Sequence, residues 1–123
     1  MLMRVVSRFL VDDGELSALH GRAFGGASRA DTDWARRLNQ HALTWIGAFD
    51  DDKLVGFIQV CWDGGSHAFV LDTAVDPDWQ HQGIGTSLVR RAAEEDVSPF
   101  YFKSCGFEST KAGTLNLRTV ELG

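Results

Sequence analysis

Apolar residues recur along this chain with two periods, and the switches between them mark out its elements. Met3–Leu10 (MRVVSRFL) reads as a strand that runs into Asp12-Asp13-Gly14. Leu16, Leu19, His20, Ala23 and Phe24 then fall at i, i+3, i+4, i+7 and i+8, which is one face of a helix, with Asp12 or Asp13 as its cap. Gly25-Gly26-Ala27-Ser28 breaks that helix. A second helix is predicted from Thr32 to Leu43, with Trp34, Leu38, His41 and Ala42 as its buried stripe.

Three strands follow: Thr44–Phe49, Lys53–Trp62 and Ser66–Val75. They are joined by Asp50-Asp51-Asp52 and by Asp63-Gly64-Gly65, short turns that predict an antiparallel meander. Pro77 stops the third of these. After a loop of Gln, His and Gly, Ile84, Leu88, Val89, Ala92 and Ala93 mark a third helix ending near Glu95. Ser98-Pro99 is a cap followed by Pro at the first helical position, and Gly106 suits a left-handed end, so Pro99–Cys105 reads as a short fourth helix. Thr114–Leu122 is a closing strand. The order β-α-α-β-β-β-α-α-β predicts a single α/β domain over residues 1–123, built on a mostly antiparallel sheet.

Composition narrows the function classes. With 44% apolar residues, four Trp and eight Phe, a core can form. The net charge of −5 and the absence of a basic stripe argue against nucleic acid as a partner. Cys61 and Cys105 form no CxxC pattern, and the N-terminus lacks an apolar signal region. No apolar run approaches membrane-spanning length, so a cytoplasmic protein without membrane contact is expected. His20 and His41 read as helix residues, not metal ligands, since no HExxH or Cys/His cluster accompanies them.

The chemically informative stretch is Val75–Thr86 (VDPDWQHQGIGT), placed between a strand and a helix. Its glycines let the backbone approach a phosphate and point successive N–H groups into one concavity, and the helix N-terminus adds roughly half a positive charge. A dinucleotide fingerprint would need a third Gly where Leu88 stands, and a P-loop would need Gly-Lys-Ser/Thr.

Gln80-x-x-Gly83-x-Gly85, preceded by Val75-x-Pro77 and followed by Phe100-Tyr101 and Gly106-Phe107, resembles the signature of the GNAT superfamily of N-acetyltransferases. The order of elements resembles that family over most of the chain, and the pattern is similar to a small bacterial subgroup. The resemblance implies acetyl-CoA as co-substrate, no metal, and direct attack of a small-molecule or peptide amine on the thioester. It places the pantetheine arm against the backbone of Thr73, Ala74 and Val75. It places the pyrophosphate on Gln80, His81, Gln82, Gly83, Ile84, Gly85 and Thr86. Tyr101 and Ser104 would lie near the thioester or the arm, with Tyr101 as the candidate acid, although Phe102 holds the position where many members carry Tyr. Asp72 interrupts an apolar strand, sharing a face with Val70 and Ala74 under strict alternation, and is the candidate base beside His67; its other reading is a structural, hydrogen-bonded Asp. Cys105 is a candidate nucleophile, with buried packing as its other reading. Trp34, Trp45 and Trp62 are core residues or walls of an acceptor pocket.

The chain departs from the family after the third helix. Only Asp96 and Val97 separate that helix from Ser98-Pro99, and a strand needs about five or six residues. Three arrangements fill the vacancy: Thr114–Leu122 slides in, a second subunit supplies a strand in a homodimer, or the cleft is lost and the chain is a non-catalytic coenzyme A-binding or interaction module.

Overall fold

The computed structural model describes residues 3–25, 33–63 and 67–93. Within them run β1 (Met3–Ser7), α1 (Asp13–Phe24), α2 (Trp34–His41), β2 (Ala42–Asp50), β3 (Lys53–Trp62), β4 (Ala68–Val75), a 3-10 turn at Pro77–Trp79, and α3 (Ile84–Arg90). The strands form one antiparallel sheet in the order β1-β2-β3-β4. The α/β architecture therefore follows the expected order through the third helix. The predicted helix Pro99–Cys105, the closing strand Thr114–Leu122 and the short Asp96-Val97 interval lie outside the described residues.

Several boundaries differ from the periodicity, and at the ends of β1 and α2 the reason is tertiary. β1 stops at Ser7, not Leu10, because Arg8 takes a left-handed φ of 53°. The Arg8 N–H donates to Trp45 O at 2.6 Å, and its guanidinium lies 4.5 Å over the Trp45 ring. The turn sends Phe9 into the core and leaves Leu10 98% exposed. α2 stops at His41 because Ala42 is already extended and pairs with Cys61 of β3. Ala42 and Leu43 thus belong to the sheet, and His41 is exposed instead of buried.

Asp12, not Asp13, caps α1, accepting from the Glu15 N–H at 2.8 Å. Asp13 serves the next helix: its Oδ1 accepts from Ala35 N–H at 2.8 Å, while the α2 cap residue Asp33 makes no side-chain cap bond. One acidic pair thereby fixes the starts of two helices.

The sheet separates two apolar layers. α1 and α2 cover one face with Leu16, Leu19, Trp34 and Leu38 against Trp45 and Phe57. α3 covers the other with Ile84, Leu88 and Val89 against Ile46, Ala48 and Ile58. Trp34 and Trp45 are core residues, 3% and 4% exposed. Their ring N–H groups are satisfied inside that core, by Ser17 Oγ at 3.0 Å and Phe9 O at 2.9 Å.

β4 carries the irregularity that matters for function. Its register with β3 steps between the Phe57↔Ala74 and Gln59↔Leu71 pairs, and Asp72 has a left-handed φ of 55°. This is a bulge, in which an extra residue reverses the side-chain alternation. Val70 therefore packs toward α3 while Ala74 packs toward α1 and α2. Asp72 does not share one face with both, as strict alternation predicts; its side chain turns toward α1.

Candidate functional site

The segment after β4 is held by one buried carboxylate. Asp76 is 3% exposed, and its N–H donates to Val55 O at 2.8 Å, closing the β3–β4 ladder. Its Oδ1 accepts from the Asp78 N–H at 2.9 Å, and its Oδ2 accepts from Arg22 Nε at 3.1 Å and Nη2 at 2.9 Å. Lys53 Nζ stands 4.0 Å away. Burial alone pushes the Asp76 carboxyl up, but the Asp78 N–H and the Arg22 guanidinium together outweigh it and hold the group below its ordinary value of 3.8.

The loop then coils into a cradle. Trp79 N–H donates to Asp76 O at 2.8 Å, and Gln80 Nε2 donates to Val75 O at 3.1 Å. His81 and Gly83 both take left-handed φ, 65° and 84°. The first bond of α3 is Ser87 N–H to Gly83 O at 3.0 Å, so the amides just before Ser87 have no intrahelical acceptor. Alternating left- and right-handed residues turn such amides into one concavity suited to an anion. The left-handed φ of His81, a non-glycine residue, costs roughly 1–3 kcal/mol, a strain more common at ligand sites than elsewhere.

A cleft of about 410 Å³ opens beside this cradle. Ala23 of α1 lines it from one layer and Ile84 and Val89 of α3 from the other, so it runs past the outer edge of β4. Among the described residues no strand pairs with that edge. Since Asp76 N–H points inward to β3, the period of two turns the backbone of Val75 and Thr73 outward. Both line the cleft, with Gln80, His81, Gly83, Gly85 and Thr86. Ala74 does not; it is 1% exposed in the core. Gln82 is exposed and also stands outside the lining. The hydroxyl Oγ1 of Thr73 is buried without a hydrogen-bond partner.

Asp72 adjoins this cleft through Thr73 without lining it, and its side chain faces a second surface, against α1. Its Oδ1 lies 3.1 Å from His20 Nε2, and its Oδ2 accepts from Gln59 Nε2 at 2.5 Å. The His20 ring sits between Phe24 and Trp34, at centroid distances of 4.6 and 5.3 Å. Helical periodicity alone marks His20 as a residue on the apolar face of α1. The available signal was two polar residues, Gln59 and Asp72, interrupting adjacent apolar strands. Burial pushes the nearby Cys61 thiol up, and the Asp72 charge adds to that against the opposing pull of Arg37. His67 is not part of either surface: it is exposed and pairs with Asp63 at 3.2 Å. It precedes the start of β4, at the opposite end of that strand from Val75. Tyr101, Ser104 and Cys105 lie outside the described residues. Among the described residues no group of three or more His, Cys, Asp or Glu could hold a metal ion, and no helix is long and apolar enough to cross a membrane.

Comparison with known proteins gives this geometry a context. A model of the acetyltransferase (GNAT) family matches residues 14–107. No curated protein matches the sequence. Among solved structures, a GNAT-family acetyltransferase from Streptococcus pneumoniae is 26% identical, with a TM-score of 0.61 over 87% of this chain and 88% of that one. The PaiA N-acetyltransferase from Thermoplasma acidophilum, solved with coenzyme A, is 17% identical with a TM-score of 0.60, over 86% and 89%. A GNAT-family acetyltransferase from Brucella melitensis, solved with acetyl-CoA, is 18% identical with a TM-score of 0.56, over 72% and 64%. The last two show a shared fold.

Proposed function

The chain belongs to the GNAT acetyltransferase family, and from that premise we propose that it transfers an acetyl group from acetyl-CoA to a primary amine by direct attack on the thioester. The observation that carries this reading is the cleft in which the outward edge of β4 at Thr73 and Val75 meets the Gln80–Thr86 cradle. The residues suit the co-substrate. The cradle amides take the pyrophosphate, helped by the N-terminal dipole of α3. The outward N–H and C=O groups of Thr73 and Val75 pair with the amides of the pantetheine arm, as an added strand would. Turned toward the arm, the Thr73 hydroxyl, shielded and unpartnered in the free protein, would gain an acceptor or donor.

In this mechanism the arm brings the thioester alongside the β4 bulge. The amine forms the C–N bond, the C–S bond breaks, and the thiolate leaves. A thiol has a pKa of roughly 8.5 against about 10.4 for an alkyl amine, so departure of the thiolate needs little acid assistance. That lowers the demand on Tyr101, the candidate acid. The binding arm of the test is isothermal titration of acetyl-CoA into the folded protein, where no heat of binding sinks the reading. The turnover arm is thiol release with a panel of primary amines.

A second reading is favoured by Phe102, which replaces the usual Tyr: a chain that holds coenzyme A without turnover. Acetyl-CoA binding with no thiol release for any amine would select it.

A further inference from the structure

The pair formed by His20 and Asp72 is joined to the cleft by both of its elements. Ala23, which lines the cleft, lies three residues after His20 on the same face of α1. Thr73, which also lines it, directly follows Asp72. The bulge and the left-handed φ of Asp72 are what swing this carboxylate to the α1 side.

Both oxygens of Asp72 are engaged, one by Gln59 Nε2 and one by His20 Nε2. An ionised carboxylate only accepts, so His20 Nε2 carries the hydrogen in that bond, and the neutral ring keeps its lone pair on Nδ1. No hydrogen bond to Nδ1 is formed among the described residues. Phe24 and Trp34 hold the ring's plane. The charged and titratable groups facing the pair are Asp72 itself from β4, Cys61 of β3 beside it, and Arg37 of α2, whose guanidinium lies 4.1 Å over the Trp34 ring.

We propose that His20 is a catalytic residue that takes the proton of the attacking amine, with Asp72 as its positioning residue. This rests on the acetyl-transfer reading above. As the amine nitrogen bonds to the thioester carbon and the C–S bond breaks, the nitrogen's proton passes to His20 Nδ1. It then goes to solvent, while the thiolate takes a proton from water. Asp72 fixes the tautomer and stabilises the imidazolium that forms, and Gln59 fixes Asp72. A positioned base of this kind contributes roughly 10²–10⁴ in rate.

The experiment measures thiol release from acetyl-CoA with the best of a panel of primary amines, for wild type, His20→Gln, His20→Ala and Asp72→Asn. The expected result for His20→Gln is a fall in kcat/KM of roughly 10²–10⁴, with acetyl-CoA affinity by calorimetry unchanged. Added imidazole restores part of the rate of His20→Ala, which a structural role for His20 does not predict. Asp72→Asn lowers kcat while the KM and the affinity for acetyl-CoA stay unchanged, because the ring loses the acceptor that fixes its tautomer; this readout decides the matter if the His20 variants do not fold. Turnover of His20→Gln close to wild type, or a rate loss matched by lost acetyl-CoA binding, overturns the proposal and leaves acetyl transfer standing. A wild type that releases no thiol with any amine overturns both.

Discussion

Arg22, in the last turn of α1, donates from both Nε and Nη2 to a single oxygen of Asp76, at the end of β4. This joins the helix layer on one face to the loop that forms the cradle. Asp76 is nearly inaccessible, whereas Arg22 is 42% exposed, so solvent screens part of the attraction. The hydrogen bond from the Asp78 N–H is not screened in this way. Asp76→Asn is therefore expected to lower stability by about 1–2 kcal/mol at neutral pH. The pH dependence has a definite sign. The folded carboxyl sits below 3.8, so its contribution is complete above that value and is lost as pH falls through the lower, folded one. Urea unfolding of both proteins from pH 7 down to pH 3 checks this: the gap in midpoint stays constant to about pH 4 and narrows below it.

Gly83 and Gly85 carry different constraints. A Cβ at Gly83 meets nothing within 4 Å, yet its φ of 84° strains any other residue. A Cβ at Gly85 meets only Val75 Cγ2 at 3.7 Å, an ordinary contact, with no unusual φ. Gly83→Ala is expected to cost roughly 1–2 kcal/mol of stability. Gly85→Ala is expected to be neutral or to stabilise by up to about 1 kcal/mol, and to keep acetyl-CoA binding within a few-fold. Gly85→Trp fills the cleft and abolishes binding while the protein stays folded. Thermal melts paired with calorimetric titration separate these outcomes.

α3 is seated on β3 through Gly56. A Cβ there would lie 2.9 Å from Ile84 Cγ2 and 3.2 Å from both Ala48 Cβ and Leu88 Cδ1. Ile84 opens the helix whose N-terminus is part of the cradle. Gly56→Ala is expected to destabilise by roughly 1–3 kcal/mol through overpacking. It should also weaken acetyl-CoA binding although Gly56 itself does not line the cleft, because Ile84, which does, must lift from the sheet with its helix. A melt showing full stability together with unchanged affinity would refute this account of Gly56.

Much of this architecture could be read from local pattern. The turns on either side of Lys53–Trp62 are chemical signals that mark its ends, and Pro77 and the glycines mark the stretch from Gln80 that follows β4, although Ile84, Gly85 and Thr86 already belong to the first turn of α3. What escaped was non-local. The end of β1 depends on Arg8 meeting Trp45, and the cap of α2 comes from Asp13, 22 residues before Ala35. Likewise His20 meets Asp72 across 52 residues, through a bulge that no alternation pattern announces. Periodicity reports which face of an element is apolar. It does not report which polar residues the packing of two such elements will bring together.

Thr73 offers a substitution in which stability and binding move in opposite directions. Its Oγ1 is buried with no partner, a state that costs roughly 1–3 kcal/mol in the free protein. Valine has nearly the same shape, suits a strand, and removes the orphaned hydroxyl. Thr73→Val is therefore expected to leave the ligand-free protein as stable as wild type or up to about 1 kcal/mol more so. If the hydroxyl meets a polar group of the pantetheine arm, acetyl-CoA affinity falls about five- to tenfold in the same variant, the loss of one neutral hydrogen bond. The melting temperature without ligand and the shift produced by saturating acetyl-CoA give both numbers from one sample. A variant whose free and bound stabilities rise together would place the Thr73 hydroxyl away from the ligand, and would leave the backbone of Thr73 and Val75 as the strand's whole contribution to the arm.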